Sequence, residues 1–293
     1  MMMSRGDIML KSGDKVSLVA CSNGLSLKQK AQIENLCILL KQLGLIPLVS
    51  PYLYRQQSYL AANAKMRAKV LLDAYRDTSI KAIFDVSGGD VANGILEWLD
   101  FELIKANPKP FFGYSDLTTI INALYQKTGQ LQYLYQIRNL RSNIQYQNFN
   151  DSILNGQKSL YNFNYRFIQQ DYLAGTMIGG NIRCLLKLAG TPYFPDVDSK
   201  ILFLESFSGN GAVMMAYLTQ LKQMGVFDKI NGLLLGTFTA METSNEVPDI
   251  VSIAVSVINN IKLPIVKTED IGHNLNAKCL IIGKKYEFKK SGN

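Results

Sequence analysis

A serine stands at a predicted corner between a strand and a helix in the stretch PFFGYSDLTT, residues 110–119. An apolar, strand-like run ends in Gly113-Tyr-Ser-Asp116, and a helix-like segment follows. A Gly-x-Ser turn of this kind resembles the nucleophile elbow, in which a sharp turn lifts a serine hydroxyl out of the sheet edge. The second glycine of that motif is missing, because Leu117 occupies its position. Ser115 is therefore a candidate nucleophile, but this turn alone does not identify a hydrolase.

The candidate base is His273, which is the single histidine of the chain and lies in a loop-like stretch. A lone histidine is most often a surface or capping residue. Histidine is nevertheless the side chain that changes its charge nearest to neutral pH, so a serine nucleophile would most economically recruit it as base. If the protein is a serine hydrolase of the triad type, its base is His273.

The third member of a triad would be a carboxylate that orients the imidazole and stabilises its cation. Glu205 is the first candidate, because it closes the apolar run ILFLE and a strand there would present its carboxylate at a sheet edge. The alternative for Glu205 is a solvated strand end, and Asp270, close to His273 in sequence, is the second candidate. The chain order Ser115, Glu205, His273 is the order found in α/β-hydrolases.

Two backbone amides are candidates for stabilising an oxyanion. Gly89 follows a predicted strand in the sequence Ser-Gly-Gly-Asp, where its amide is not obstructed by a side chain. The amide of Asp116 comes directly after Ser115, as an elbow requires. An ordinary tight turn is the alternative for the glycine pair.

These residues lie on a pattern of alternating strands and helices. Because short apolar runs alternate with helical periodicity, the first half predicts a mainly parallel sheet with helices on both faces. Ligands of such sheets gather at the carboxyl ends of the strands, where both Gly89 and Ser115 fall. Ser26 and Gln29 form a predicted capping box at the first helix. The predicted strands are residues 15–20, 45–49, 82–86 and 110–114, and the predicted helices are 26–44, 58–75, 91–103 and 116–125.

The composition shifts to Asn, Gln, Tyr and Ser over residues 138–165, which indicates a linker or domain crossing. We expect an N-terminal domain of residues 1–140, a linker of residues 141–168 and a mixed α and β domain of residues 169–293. The later elements are predicted strands at residues 201–205, 233–236 and 279–282, and predicted helices after residue 180, at 212–224 and at 250–259.

Composition narrows the function classes. The 293 residues are 47% hydrophobic and carry a net charge of +8, but no basic run suggests nucleic acid. No motif for a phosphate-binding loop, a metal site or a cofactor is present. No signal peptide or run of 18 apolar residues occurs, so we expect a cytoplasmic protein without a membrane anchor. Four cysteines without paired spacing are expected to be buried free thiols in a reducing compartment: Cys21, Cys37, Cys184 and Cys279.

The chain resembles the LD-carboxypeptidases, a family of serine peptidases that includes the microcin C immunity peptidases. The likeness runs through nearly the whole chain. It is carried in order by LKSGDKVSLVACS, SGGDVANGILEWLDFELIKANPKPFFGYSDLTTI, AGTMIGGNIRCLLKLAGTPYFPD, KILFLES, QMGVFDKINGLLLGTF and DIGHNLNAKCLIIG.

The resemblance implies a two-domain α/β fold, with a Rossmann-like N-terminal domain and a smaller, strand-rich mixed C-terminal domain. It implies a triad of Ser115, Glu205 and His273, with Gly89 and Asp116 as the oxyanion donors. Neither a metal nor a cofactor is implied, and a homodimer is expected.

The implied activity is that of a serine carboxypeptidase in peptidoglycan recycling, which cuts an L-D peptide bond and releases D-alanine from murein tetrapeptides. One alternative is an immunity-type peptidase that cleaves aminoacyl-adenylate-like conjugates. Another is a catalytically silent module that binds peptides.

Two departures from the family pattern bear on these expectations. Relatives usually carry Pro-Ser where this chain has Cys21-Ser22, which is expected to affect only the first turn. Relatives also carry Gly-Pro after an aromatic residue or histidine where this chain reads Gln132-Tyr-Leu-Tyr-Gln-Ile-Arg138. Because this segment lies near the expected substrate groove, the departure bears on substrate preference.

Overall fold

The computed structural model describes residues 9–56 and 58–290, which form two sheets with helices packed around and between them. The predicted two-domain α/β class is confirmed. The strands are β1 Lys15–Val19, β2 Ile46–Val49, β3 Ile80–Asp85, β4 Phe111–Gly113, β5 Gln132–Leu134, β6 Arg166–Gln169, β7 Tyr172–Asn181, β8 Lys200–Ser206, β9 Gly232–Phe238, β10 Ile265–Lys267, β11 Leu280–Ile282 and β12 Lys285–Lys289. The α-helices are α1 Lys30–Gln42, α2 Ala64–Arg76, α3 Phe101–Ala106, α4 Thr118–Thr128, α5 Asn143–Phe149, α6 Ile182–Leu186, α7 Gly211–Gln223, α8 Thr239–Thr243 and α9 Ile250–Ile258.

The first sheet has the order β11-β5-β4-β3-β1-β2. Its strands β1 to β5 run parallel, and β11 from the C-terminal half of the chain pairs antiparallel with β5. The order 2-1-3-4-5 is that of a doubly wound sheet whose topological switch lies between β1 and β3. Ligands of such sheets bind at this switch, so the loops after β1, β3 and β4 are the expected site.

The second sheet has the order β12-β7-β8-β9-β10-β6. The four strands from β7 to β10 are parallel, while β12 and β6 close the two sides antiparallel. This is the mixed, strand-rich arrangement expected for the C-terminal half. The carboxyl end of its central strand β8 carries Glu205.

Helix α4 lies between the two sheets, and its residues from Thr118 to Leu124 are all buried. One apolar cluster joins residues of both sheets around this helix, for example Phe111 with Phe203. Asn122 on α4 exchanges two hydrogen bonds of 2.9 Å with the backbone of Gly179 on β7. Buried polar groups need hydrogen-bond partners, so this pair of bonds fixes the position of α4 against β7 and thereby joins the two domains.

Local capping residues set where several helices begin. Ser26 and Gln29 form the predicted capping box, although a 3-10 turn precedes α1 there. The helix predicted from residue 58 begins only at Ala64, because Asn63 caps it through a bond to the amide of Met66. The helix predicted over 91–103 is divided into a 3-10 helix, Ala92–Trp98, and α3, because Asp100 caps a new start.

Several elements were not predicted from the sequence. Strands β5, β6, β7, β10 and β12 and helix α5 belong to this group. The ten-residue strand β7 is the largest, and it was missed because Gly175, Gly179 and Gly180 give it a weak strand signal. A Cβ atom on Gly179 would lie 2.2 Å from the carbonyl oxygen of Phe203, so the close approach of β8 requires a glycine there.

The cysteines are free, as predicted, but only three of them are buried; Cys37 is half-buried, so that part of the prediction was wrong. Cys37 lies on α1, whose side away from the first sheet faces solvent. In the described part of the chain, no helix has the length and apolar character needed to cross a membrane.

Candidate active site

Ser115 lies directly after β4, at the turn into a short 3-10 helix that continues as α4. Its φ angle is 58°, in the left-handed region that residues with side chains rarely adopt. The position of the missing second glycine is filled by Leu117, whose Cβ atom packs so closely that a Cβ on Gly113 would lie 2.7 Å from it. The turn therefore needs only one glycine, and Ser115 is presented at the positive end of a helix.

Glu205 and His273 are joined by a hydrogen bond of 2.6 Å between Oε2 and Nδ1. Glu205 is fully buried, and its Oε1 accepts a hydrogen bond of 3.0 Å from Nδ2 of Asn181. An ionised carboxylate only accepts hydrogen bonds, so Nδ1 carries the proton and Nε2 has a free lone pair. Nε2 is buried and makes no hydrogen bond within the described residues.

Two aromatic rings contact the imidazole of His273. The ring of Tyr114 meets His273 edge-on at a centroid distance of 4.9 Å, and the ring of Phe207 lies at 5.0 Å. Burial and the nearby Glu205 carboxylate raise the pKa of the Tyr114 phenol well above its ordinary value. Because Tyr114 directly precedes Ser115, this contact brings the serine turn of one domain against the histidine of the other. Among the bonds of the described residues, none joins Ser115 to His273.

The second candidate for the acid, Asp270, has different partners. Its Oδ2 accepts hydrogen bonds from the backbone amide and the side-chain Nδ2 of Asn164, at 2.7 Å and 3.1 Å. Asp270 therefore ties its loop to residue 164, in the segment between the two sheets. Of the two carboxylates proposed from the sequence, Glu205 is the one that contacts His273.

Gly89 lies in the loop after β3, at the topological switch of the first sheet. Its φ is 133°, and a Cβ atom there would come within 2.2 Å of Cγ of Asn23. Asn23 in turn accepts a bond from the amide of Asp90 at 3.1 Å. The backbone of Gly89 is therefore held in a conformation that only glycine can adopt in this space.

Replacing Gly89 by alanine is expected to lower the free energy of unfolding by about 1–3 kcal/mol, since the new side chain meets both an unfavourable φ and Asn23. Urea denaturation measures this change. Gly94→Ala in the neighbouring 3-10 helix is the matched control, because nothing lies within 4 Å of its Cβ position. Equal stability of the two variants would contradict the argument.

The carboxylate of Asp116 is fully buried beneath the serine turn. Its Oδ2 accepts hydrogen bonds from Oγ of Ser22 at 2.6 Å and from the amide of Ala92 at 2.8 Å, and Oδ1 accepts one from Lys187 at 2.5 Å. The loops after β1, β3 and β4 are thus joined through one side chain. Only the backbone amide of Asp116 was assigned a role from the sequence, and Ser22 was assigned none, so this side-chain network was not predicted.

A second buried carboxylate supports the same loops. Asp85, at the end of β3, accepts bonds from the amide and hydroxyl of Ser87 and from the amide of Cys21. Burial raises the pKa of Asp85. Ser87 Oγ also accepts a bond of 2.9 Å from the amide of Ser22. A polar residue at the end of a predicted buried strand was the signal that could have identified Asp85.

The segment that departs from the family pattern forms β5 and a 3-10 helix, Ile137–Arg141. Asn139 on that helix donates a hydrogen bond of 3.3 Å to the carbonyl of Asn274, next to His273. A cavity of about 320 Å³ between this helix and α1 is lined by Gln29, Gln32, Asn35, Leu36, Leu39, Gln136, Arg138, Asn139 and Arg141. The 3-10 helix in which this segment ends therefore supports the histidine loop on one side and lines the cavity on the other.

A strained serine turn on a doubly wound sheet lies near a His273 side chain that is bound to the buried Glu205 of a second, mixed domain. This arrangement defines a two-domain α/β protein with a hydrolase-type site. Residues 16–136 match the profile of the LD-carboxypeptidase N-terminal domain, and residues 174–288 match that of the LD-carboxypeptidase C-terminal domain. The chain belongs to the LD-carboxypeptidase family of serine carboxypeptidases.

Similar proteins include ones named as carboxypeptidases and one named as a microcin self-immunity protein. The Bacillus subtilis protein YocD is 28% identical, covering 94% of this chain and 93% of its own. A Bacillus subtilis protein named "Probable murein peptide carboxypeptidase" is 28% identical, with 78% of this chain and 73% of that protein covered. The Escherichia coli microcin C7 self-immunity protein MccF is 25% identical, with 78% of this chain and 76% of that protein covered.

Two solved structures share the fold. The MccF-like protein from Bacillus anthracis superposes with a TM-score of 0.85 at 26% identity, covering 97% of this chain and 95% of that one. Muramoyltetrapeptide carboxypeptidase from Oxalobacter formigenes has a TM-score of 0.78 at 22% identity, covering 94% and 95%.

Proposed function

We propose that this protein is a serine LD-carboxypeptidase that removes the terminal D-alanine from murein tetrapeptides. The observation that carries the proposal is the His273 ring, whose Nδ1 is held by Glu205 at 2.6 Å while its buried Nε2 has no partner in the described chain. An imidazole held in this way can accept a proton at Nε2. The protein named as a murein peptide carboxypeptidase supports the choice of substrate.

In the proposed mechanism, Ser115 Oγ attacks the carbonyl carbon of the scissile L-D bond while its proton passes to Nε2 of His273. Glu205 stabilises the resulting imidazolium, and the amides of Gly89 and Asp116 stabilise the oxyanion. The imidazolium then donates its proton to the departing amine of D-alanine, leaving an acyl group on Ser115. Water, activated by His273, hydrolyses that ester and restores the serine hydroxyl.

The position of Ser115 suits this role. Because it begins a helix, the partial positive charge of the helix terminus lies where negative charge develops on the oxyanion. The nucleophile and the acid–base pair come from different domains, so the bonds that join α4 to β7 are part of what assembles the site.

A second candidate function is cleavage of aminoacyl-nucleotide conjugates of the microcin type. It is favoured by the identity to the self-immunity protein MccF, and by the likeness to a MccF structure described as a complex with aspartyl sulfamoyl adenosine, which has a TM-score of 0.86. Both candidates use the same nucleophile, so only the groups on either side of the scissile bond distinguish them. A catalytically silent peptide-binding module is the third alternative.

Turnover of two substrates by one preparation tests these alternatives. The protein and its Ser115→Ala variant are incubated with a murein tetrapeptide and with a sulfamoyl aminoacyl-adenosine, and products are followed by mass spectrometry. We expect release of D-alanine from the tetrapeptide by the unaltered protein alone. Cleavage of the conjugate alone would favour the second candidate, and binding of the tetrapeptide without turnover of either compound would favour the silent module.

A further inference from the structure

Two cations from the C-terminal domain reach across to the loop that carries Gly89. Arg183 on α6 and Lys187 directly after it are four residues apart, so they lie on the same helix face. Arg183 Nη2 donates to the carbonyl of Gly89 at 3.1 Å, and its Nη1 pairs with the carboxylate of Asp90. Lys187 Nζ donates to the carbonyl of Asp90 at 2.9 Å and to Asp116 Oδ1 at 2.5 Å.

The residue that caps the same short helix is bound to the acid of the acid–base pair. Asn181 caps α6 by accepting a bond from the amide of Cys184 at 3.3 Å, and its Nδ2 donates to Glu205 at 3.0 Å. Its own amide donates to Thr118 Oγ1 on α4 at 3.0 Å. Helix α6 and the residues that flank it therefore contact Glu205 through the cap Asn181, and the Gly89 and Asp116 loops through Arg183 and Lys187.

We propose that Arg183 and Lys187 are positioning residues that fix the amides of Gly89 and Asp116 relative to the Glu205–His273 pair. This inference rests on the proposed function. Oxyanion donors contribute most when they are held in place before the reaction, and here they lie on loops after two different strands. The acid–base pair lies in the other domain, so a rigid link between the domains sets the distance from donors to base.

The two cations differ in how strongly they anchor the loops. The Lys187–Asp116 pair is shielded, with side-chain exposures of 20% and 0%, whereas Arg183 and Asp90 are exposed at 42% and 58%. Removing Lys187 leaves a buried carboxylate without its cation, while removing Arg183 breaks a pair at the surface. Lys187 is thus the stronger anchor. We expect an Arg183 variant to stay folded, because water solvates the exposed Asp90 carboxylate that loses its partner.

Steady-state kinetics on the murein tetrapeptide test the proposal. We expect Lys187→Gln to lower kcat about 10- to 100-fold with KM within about threefold, because misplaced oxyanion donors act on the transition state rather than on binding. Arg183→Gln is expected to lower kcat about threefold to tenfold, and Lys187→Arg to recover most of the lost rate. Lys69→Gln, which removes the surface pair with Asp73, is the matched control and should behave as the unaltered protein.

Hydrogen–deuterium exchange tests the same link without any substrate. In Lys187→Gln and Arg183→Gln, the amides of residues 88–92 and 114–118 should exchange about tenfold faster than in the unaltered protein, because local opening becomes easier. Exchange and kcat unchanged in both variants would overturn the proposal. If the unaltered protein turned over no substrate, the proposed function would fail, and exchange would still decide whether these cations hold the loops.

Discussion

Replacing Ser115 by alanine is expected to lower kcat for the murein tetrapeptide by about 10⁴- to 10⁶-fold while KM changes little. The hydroxyl oxygen is the atom that attacks the scissile carbonyl in the proposed mechanism, and alanine offers none. The amides that would bind the oxyanion remain, so a small residual rate from those donors is expected. Release of D-alanine, followed by mass spectrometry over hours, measures both rates.

The fold should survive this substitution. The φ angle of Ser115 is 58° in the unaltered protein. Alanine disfavours this angle about as much as serine does and is no larger, so the substitution adds neither strain nor volume. Ser256→Ala on the exposed face of α9 is the control, and we expect it to retain full activity. Near-normal turnover by Ser115→Ala, with an unchanged unfolding midpoint, would remove this serine from the mechanism.

Glu205→Gln is expected to lower kcat by about 10⁴-fold. The carboxylate accepts hydrogen bonds from Nδ1 of His273 at 2.6 Å and from Nδ2 of Asn181 at 3.0 Å, and these bonds favour the tautomer in which Nε2 is free. A glutamine amide group placed toward the imidazole donates to Nδ1 and shifts the proton to Nε2, which then cannot accept one from the serine. The neutral side chain also cannot stabilise an imidazolium in this buried position.

Asp270→Asn is the matched control for this substitution. Asp270 was the alternative acid in sequence, but its carboxylate accepts bonds from Asn164. We expect Asp270→Asn to keep kcat within about threefold of the unaltered protein, since no contact to the imidazole is lost. The opposite result, with Asp270→Asn inactive and Glu205→Gln active, would exchange the two roles.

Much of the architecture was predictable because it depends on local patterns. Alternating apolar runs and helical periodicity indicated the parallel sheet, and polar residues at strand ends pointed to Ser115 and Glu205. The capping box of Ser26 and Gln29 forms as predicted because both of its hydrogen bonds lie within four residues. Helix starts were less predictable, because the sequence does not show which polar residues cap a helix. Asn63 and Asp100 are identified as caps only by their hydrogen bonds to backbone amides in the folded chain.

The candidate site was predictable only in part. The residue types indicated Ser115, His273 and two candidate acids. The choice between Glu205 and Asp270 depended on which carboxylate contacts the imidazole in the folded chain. The roles of Lys187 and Arg183 could not be inferred, because their partners lie more than 70 residues away in the chain. Strand β7 was missed for a related reason: its glycines are explained by contacts with Phe203 and with Thr118.

The fold class and the residue types available for hydrolysis follow from periodicity and strand-end motifs, which are properties of short stretches of chain. The family follows from the resemblance of six longer segments in the same order. The folded arrangement was needed to show that Glu205 binds His273, that β11 pairs in the first sheet and that the carboxylate of Asp116 is buried against Lys187. These outcomes depend on the packing of distant segments, in which buried polar groups must find partners that the local sequence does not specify.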